Sequence, residues 1–413
     1  MEEEQYQVEI PSYFLCPISM QLMKDPVTIS TGITYDRESI EKWLFSCKNT
    51  TCPVTKQPLS AAAGDLTPTP TPNHTLRRLI QSWCTLNALE RIPTPKQSVE
   101  KSHILNLLNE AKNSPTSQRQ LRCLQRLRSI ARSNQSTKLH MQAAGAPAFL
   151  LSVVGKRYSD DDGALRGEAL SALQEMELSD SDLKSFFSHN DGSIIIDALI
   201  QLLRNGDPQN RGGAMALLKS AFAVADPVDL IGSRPEIFTE TVRALRDGIS
   251  ARTAVKLLVE LCPWGRNRVK AAKAGAVAAL VELLLEETER RGCELALTAL
   301  DQLCGCAEGR AELVGHGAGL AVVSKKILRV SAVASDRGVR IIGSISRYSA
   351  NSRVLEEMGE LGVVRKLCLV LQIEGMREKT KERVREILRL HARVWKGRNC
   401  SCIPPHLISY YPS

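Results

Sequence analysis

The sequence predicts a mainly α chain in two parts: a small metal-free ββα domain, then an α-α superhelical solenoid of helical repeats. Three observations predict it. Two apolar, proline-containing segments, Phe14-Leu15-Cys16-Pro17-Ile18 and Cys52-Pro53-Val54, flank one short amphipathic stretch. From about Ser98 onward, long helical patterns recur at a fixed period. Between the two lies Ile92-Pro93-Thr94-Pro95-Lys96, whose composition marks a linker.

Residues 1–9 read as a disordered lead and 10–85 as the first domain. Proline fixes φ, so each apolar loop is held in one shape. Val27-Thr28-Ile29 and Ile33-Thr34-Tyr35 are strand-like runs on either side of Gly32, which reads as a hairpin. Asp36 is placed to cap a helix whose apolar positions Ile40, Trp43 and Leu44 share a face. Asn73 reads as the N-cap of a second helix carrying Leu76, Leu79, Ile80 and Trp83, with His74 on its surface. Before it, Ala61 to Asp65 and Thr67-Pro68-Thr69-Pro70-Thr71-Pro72 read as an extended, polyproline-like connection.

Structural zinc needs four closely placed Cys or His ligands. This stretch holds only Cys16, Cys47, Cys52 and Cys84, with no pair spaced Cys-x2-Cys, so neither metal nor cofactor is expected. Ion pairs and hydrogen bonds must then hold the loops, with Asp25, Asp36, Arg37, Glu38, Glu41 and Lys56 as candidates. A network is expected rather than one bridge, because a single surface pair contributes little.

A linker at 86–98 leads into repeats over 99–397, and a tail occupies 398–413. Helical landmarks start at Cys123, Ala169, Ala214, Ala254, Ala296, Gly338 and Val384, separated by 46, 45, 40, 42, 42 and 46 residues. Gly145, Gly192, Gly275, Gly319 and Gly362 each precede an apolar helix and predict tight inter-helix turns. Such a period is the mark of armadillo and HEAT repeats, and about six are expected. Asp160-Asp161-Asp162-Gly163 reads as an exposed loop.

The 12 cysteines show no pairing pattern, which suits reduced thiols in a cytosolic or nuclear setting. The acidic start, Met1-Glu2-Glu3-Glu4, does not read as a signal peptide, and no apolar run is long enough to span a bilayer. The net charge is +9; residues 1–95 hold 8 Lys and Arg against 10 Asp and Glu, the remainder 46 against 35. The basic part reads mainly as solvated helix faces, since acids interleave its cations and only 4% of residues are aromatic, which leaves few stacking platforms for nucleic acid.

The landmarks from Ile10-Pro11 through Lys24-Asp25-Pro26-Val27, Thr34-Tyr35-Asp36-Arg37 and Pro72-Asn73-His74 to Trp83 together resemble a U-box, the metal-free relative of the RING finger. Ala274 to Leu285 resembles an armadillo repeat, and Cys262-Pro263-Trp264-Gly265-Arg266-Asn267-Arg268, Cys306 to Glu312 and Val322 to Ser331 resemble one plant group. That group is the plant U-box E3 ubiquitin-protein ligases with armadillo repeats, in the subgroup tied to immunity and stress. The resemblance implies a plant source, a cytoplasmic setting with the nucleus and plasma-membrane periphery as alternatives, and action on immune or stress components.

The resemblance also implies the chemistry. Such a ligase forms no covalent intermediate; it binds a ubiquitin-charged conjugating enzyme, the E2, and positions the thioester for attack by a substrate lysine. Ile18 and Met20 in the first loop, Trp43 on the helix and Pro53 in the second loop would face the E2, and Lys56 would bond both E2 and ubiquitin. Asp25, Pro26, Gly32, Tyr35, Asp36, Arg37 and Asn73 would shape the domain. Core packing is the rival reading for Ile18, Met20 and Trp43, and loop shaping for Pro53. Cys16 is not expected to act as a nucleophile, since no motif places a His beside it. The repeats would recruit protein substrates, and the U-box is a candidate for self-association. The alternative is a non-enzymatic armadillo adaptor, but a Trp ladder such as cargo carriers use is missing: only Trp264 and Trp395 lie in the repeats.

Overall fold

The computed structural model describes residues 10–46, 49–59, 70–87, 101–133, 135–155, 163–176, 178–188 and 192–396. The expected lead, the bulk of the linker, the 61–69 part of the Thr-Pro connection, the 160–162 loop, Cys47 and the tail lie outside the described residues. The chain divides into two units, Met1–Phe149 with Glu175–Glu177, and Leu150–Gln174 with Leu178–Ser413.

In the first unit, β1 (Pro26–Thr28), β2 (Thr34–Asp36) and β3 (Thr71–Pro72) form an antiparallel sheet in the order β2-β1-β3. Val27 pairs with Tyr35 on one side and Pro72 on the other. The predicted hairpin turn is present, with Gly32 at φ +78°, a left-handed geometry that suits glycine. Thr71 and Pro72 were expected in a polyproline-like loop; they form the third strand instead. Pro72 is tolerated there because the strand is an edge and owes no further ladder bond.

α1 (Arg37–Glu41) runs into a π-helical turn at Lys42–Ser46, and α2 (His74–Leu86) starts at Asn73, whose side chain accepts the Leu76 N–H at 3.0 Å. Both lay apolar residues on the sheet, in a core of Phe14, Met23, Val27, Tyr35, Ile40 and Ile80. Leu79 was expected on the inner stripe of α2 but is 53% exposed. The inner stripe runs Leu76, Ile80, Cys84, spaced four apart, and Leu79 falls off its edge.

The repeat landmarks explain the helical part. Each sits inside a helix and is buried: Cys123 in Ser117–Ala131 of the first unit, and Ala169, Ala214, Ala254, Ala296, Gly338 and Val384 in every third helix of the second. The helices Pro208–Val224, Ala251–Leu261, Arg290–Leu303, Ala332–Tyr348 and Glu378–Leu390 stack in order, with Ala or Gly at that position in the first four and Val384 in the last. A single repeat cannot bury its own apolar face, so stacking is what makes the core. Lysines pin neighbouring repeats: Lys270 Nζ donates to the Ser233 carbonyl and Lys326 Nζ to the Glu287 carbonyl, each at 2.6 Å. Gly145, Gly275 and Gly362 make left-handed turns as expected. Gly319 does not; a Cβ there would lie 2.1 Å from the Leu313 carbonyl oxygen, so close approach explains the glycine.

Candidate functional site

The two apolar loops of the first unit are copies of one knuckle. Cys16-Pro17-Ile18-Ser19-Met20-Gln21 and Cys52-Pro53-Val54-Thr55-Lys56-Gln57 align without a gap 36 residues apart, sharing Cys, Pro and Gln, pairing Ile with Val and Ser with Thr, and differing at Met20 and Lys56. Cys16 N–H donates to the Gln21 carbonyl at 2.8 Å, Met20 N–H to the Cys16 carbonyl at 2.8 Å, and Met23 N–H to the Phe14 carbonyl at 2.9 Å. In the second loop Cys52 N–H meets the Gln57 carbonyl at 2.8 Å, Lys56 N–H the Cys52 carbonyl at 2.9 Å, and Leu59 N–H the Thr50 carbonyl at 2.9 Å. The fifth residue of each is left-handed, Met20 at φ +55° and Lys56 at φ +60°. That conformation costs an L-residue roughly 1–2 kcal/mol, so the surrounding bonds must hold it.

The cysteine that opens each knuckle is fully buried, and its sulfur is an acceptor. Asp36 N–H donates to Cys16 Sγ at 3.3 Å. Cys52 Sγ receives the Thr31 hydroxyl at 3.4 Å, the Tyr35 hydroxyl at 3.2 Å and the Thr55 N–H at 3.4 Å. Burial alone would raise a thiol, but these donors outweigh it and bring Cys52 down to about 6. Cys16 is likewise lowered, against burial, by backbone donors including Ser19 and Asp36. Burial and the bond to Cys52 push the Tyr35 phenol up, which makes Tyr35 the donor of that pair. Among the described residues no group of three His, Cys, Asp or Glu is placed to hold a metal ion.

A polar strut links the sheet to both helices. Asp25 pairs with Arg37 at 2.7 Å and with Arg77 through its other oxygen, and Arg37 reaches Glu41 at 3.6 Å. The Asp25, Arg37 and Arg77 side chains are only 13–17% exposed, so this network outweighs an ordinary surface pair. Three expectations are corrected. Asp36 makes no side-chain cap to α1; its carboxylate accepts the Lys24 N–H at 2.8 Å and the Asp25 N–H at 2.9 Å, closing the exit of the first knuckle. Glu38 and Lys56 stand outside the ion-pair network of the described residues. Arg77 was missed, although its place four residues after the cap Asn73 puts it on the turn that faces β1.

On the surface, Met20 is 71% and Val54 52% exposed, while Ile18, Pro53 and Trp43 are half-buried. Ile18 and Trp43 rest against the edge of the core. The indole N–H of Trp43 donates to the Thr51 carbonyl at 2.8 Å, and Lys56 Nζ lies 5.7 Å from the ring centroid. Trp43, Pro53, Val54 and Lys56 thus form one patch on the second knuckle, and Ile18 with Met20 form its counterpart on the first. Val54 was overlooked in the sequence; it occupies the Ile18 position of the repeated hexapeptide. The patch offers apolar contact and one cation.

The comparisons fit this geometry. Residues 10–88 match the model of the U-box domain, and residues 103–412 that of the plant U-box protein ARM repeat region. The chain is 49% identical to E3 ubiquitin-protein ligase PUB23 of Arabidopsis thaliana, covering 100% of this chain and 98% of that protein. It is 46% identical to E3 ubiquitin-protein ligase PUB22 of the same plant, covering 98% and 99%. Among solved structures, a chain from "A conserved phosphorylation switch controls the interaction between cadherin and beta-catenin in vitro and in vivo" aligns with TM-score 0.59 at 14% identity, covering 80% of this chain and 61% of that one. An engineered protein aligns with TM-score 0.50 at 18% identity, covering 72% of each chain. These two likenesses speak for the fold alone.

Proposed function

The chain belongs to the plant U-box proteins with an ARM repeat region, and from that premise we propose how its U-box meets a charged E2. It is an E3 ubiquitin-protein ligase of the U-box type. Ile18 and Met20 of the first knuckle, with Pro53 and Val54 of the second, grip the E2, and Trp43 braces the second knuckle from the π-helical turn after α1. Lys56 presents its ammonium to E2 and ubiquitin from a turn held left-handed. An Arg would supply a planar fork there; Lys supplies a point charge. The observation that carries the reading is the pair of equivalent knuckles, which present Ile18 and exposed Met20 on one and exposed Val54 with Lys56 on the other.

The repeats recruit protein substrates, whose lysine amines accept ubiquitin from the E2 thioester, and the immune and stress setting follows the resemblance to the plant subgroup. A cytoplasmic location is supported by the free, mostly buried thiols among the described residues, the state a reducing compartment maintains. Self-association through the U-box is part of the same reading, supported by Tyr13 and Leu86, which are 64% and 85% exposed.

The test is E2 binding by calorimetry beside thermal melts of the full chain. Met20→Ala and Ile18→Ala are expected to weaken binding by roughly tenfold, about 1.4 kcal/mol, with the melt unchanged for Met20→Ala. Unaltered binding in both variants would remove the first knuckle from the docking face.

A further inference from the structure

A cleft of about 250 Å³ opens in the second unit where the helices Arg290–Leu303, Ala332–Tyr348 and Glu378–Leu390 lie side by side. Gly343 forms part of its lining, well inside a helix, where glycine is unfavourable relative to alanine. Its backbone needs no glycine, and a Cβ there would meet Arg383 Cδ and Ile387 Cδ1 at an ordinary 3.4 Å. What the glycine provides is space, which any longer side chain would occupy.

Three guanidiniums, of Arg340, Arg347 and Arg383, line that space. Their carboxylate partners leave them under-neutralised. Asp301, only 7% exposed, is shared by Arg340 at 2.7 Å and Arg337 at 2.9 Å, through one oxygen. Arg383 reaches Asp336 only at 3.7 Å. Arg347 pairs with Glu386, and these side chains are 50% and 57% exposed, so that pair is open to exchange. At the rim Arg310 lies 5.0 Å over the ring of Tyr348 and donates to neutral oxygens, those of Ser349 at 3.1 Å and Cys304 at 3.1 Å. In the lining itself three guanidiniums therefore face two carboxylates, Asp301 and Glu386, while Arg337, Arg310 and Asp336 lie behind it as partners of lining residues.

We propose that this cleft binds a phosphorylated serine or threonine in a segment of a substrate protein. A phosphate group complements this cationic surplus, and guanidinium forks suit its oxygens in pairs. Tyr348 and Leu390, 64% and 51% exposed at the cleft, give a neighbouring apolar side chain a surface to rest on. The interleaved carboxylates work against a continuous polyanion such as nucleic acid or an anionic lipid sheet. The proposal deepens the ligase reading, since it gives the recruited substrates a chemical class.

The test uses immobilised full chain and a degenerate peptide pool with a fixed central phosphoserine, beside the same pool carrying serine. The phosphoserine pool should be retained at least tenfold more than the serine pool. The double variant Arg347→Gln, Arg383→Gln and the cleft-filling Gly343→Leu should each lose that preference, with melting and autoubiquitination unchanged. Arg347→Lys, which keeps the charge without the fork, should lose only part of it and guards against misfolding of the others. Equal retention of the two pools, a preference that survives both variants, or retention of phosphatidylserine vesicles in place of peptides would overturn the proposal. A parent chain without autoubiquitination activity would overturn the ligase reading instead, whatever the peptide result.

Discussion

Trp43 shows how one side chain serves two purposes. Its ring rests on the core edge and its N–H holds the second knuckle through the Thr51 carbonyl. Trp43→Phe keeps most of the packing and loses the bond, so it should cost about 1 kcal/mol of stability. Trp43→Ala should cost roughly 3 kcal/mol or more and take E2 binding with it; thermal melts and calorimetry on the pair separate the contributions. Cys52 makes a pH prediction. Its thiol falls from 9.0 to about 6 because hydroxyl and amide donors outweigh burial. A group depressed on folding stabilises fully above its unfolded value and loses that contribution as pH falls through the folded one. The U-box urea midpoint should therefore rise between about pH 6 and pH 9, and Cys52→Ser should flatten the slope; parallel profiles in parent and variant would show that the thiolate plays no such part. The sequence made Met20, Pro53, Gly32 and Asn73 legible as loop, turn and cap residues. It misled on Asp36, because a carboxylate at a helix start can accept from either direction, and the competing Lys24 and Asp25 amides become neighbours only in the folded domain.

At the scale of the element, the knuckle is the unit that zinc-free folding had to build. Backbone bonds fix its shape, a buried sulfur accepts the spare donors, and Asp25 ties β1 to α1 and α2. Asp25→Asn weakens both ion pairs and should lower U-box stability by about 2–4 kcal/mol, read as the urea midpoint of the U-box transition. Met20→Gly should act in opposite directions on two observables. It relieves a left-handed turn and so raises U-box stability by up to ~1 kcal/mol, yet it deletes the exposed side chain and should weaken E2 binding; a loss of stability instead would mean that the Met20 side chain holds the loop. The knuckle's repeat, three identical and two similar residues of six, was present in the sequence, and comparing Cys16–Gln21 with Cys52–Gln57 would have added Val54 to the site. The repeat helices were legible for a different reason: a small or apolar residue recurs at the buried crossing in helix after helix. The lysine pins from Lys270 and Lys326 were not, since their acceptors are carbonyls about 37–39 residues away and any residue type supplies one.

For the whole molecule, the chain is an E3 ubiquitin-protein ligase with a U-box and an ARM repeat region; on the proposed reading the U-box acts on the E2, the repeats select the substrate, and ubiquitin is positioned but not carried. The division was legible as a change from a two-loop domain to periodic helices, while the substrate was not, because a groove's ligand is written in another chain. No metal enters the account, so elemental analysis should find no stoichiometric zinc. The most direct measurement is single-turnover discharge of a ubiquitin-charged E2 onto free lysine, with and without the full chain, in the presence and absence of a chelator. The chain should accelerate discharge equally in both conditions, Ile18→Ala should abolish most of the acceleration, and no thiol-sensitive ubiquitin adduct should appear on the chain. Chelator-sensitive acceleration, or a ubiquitin thioester on the chain itself, would contradict it.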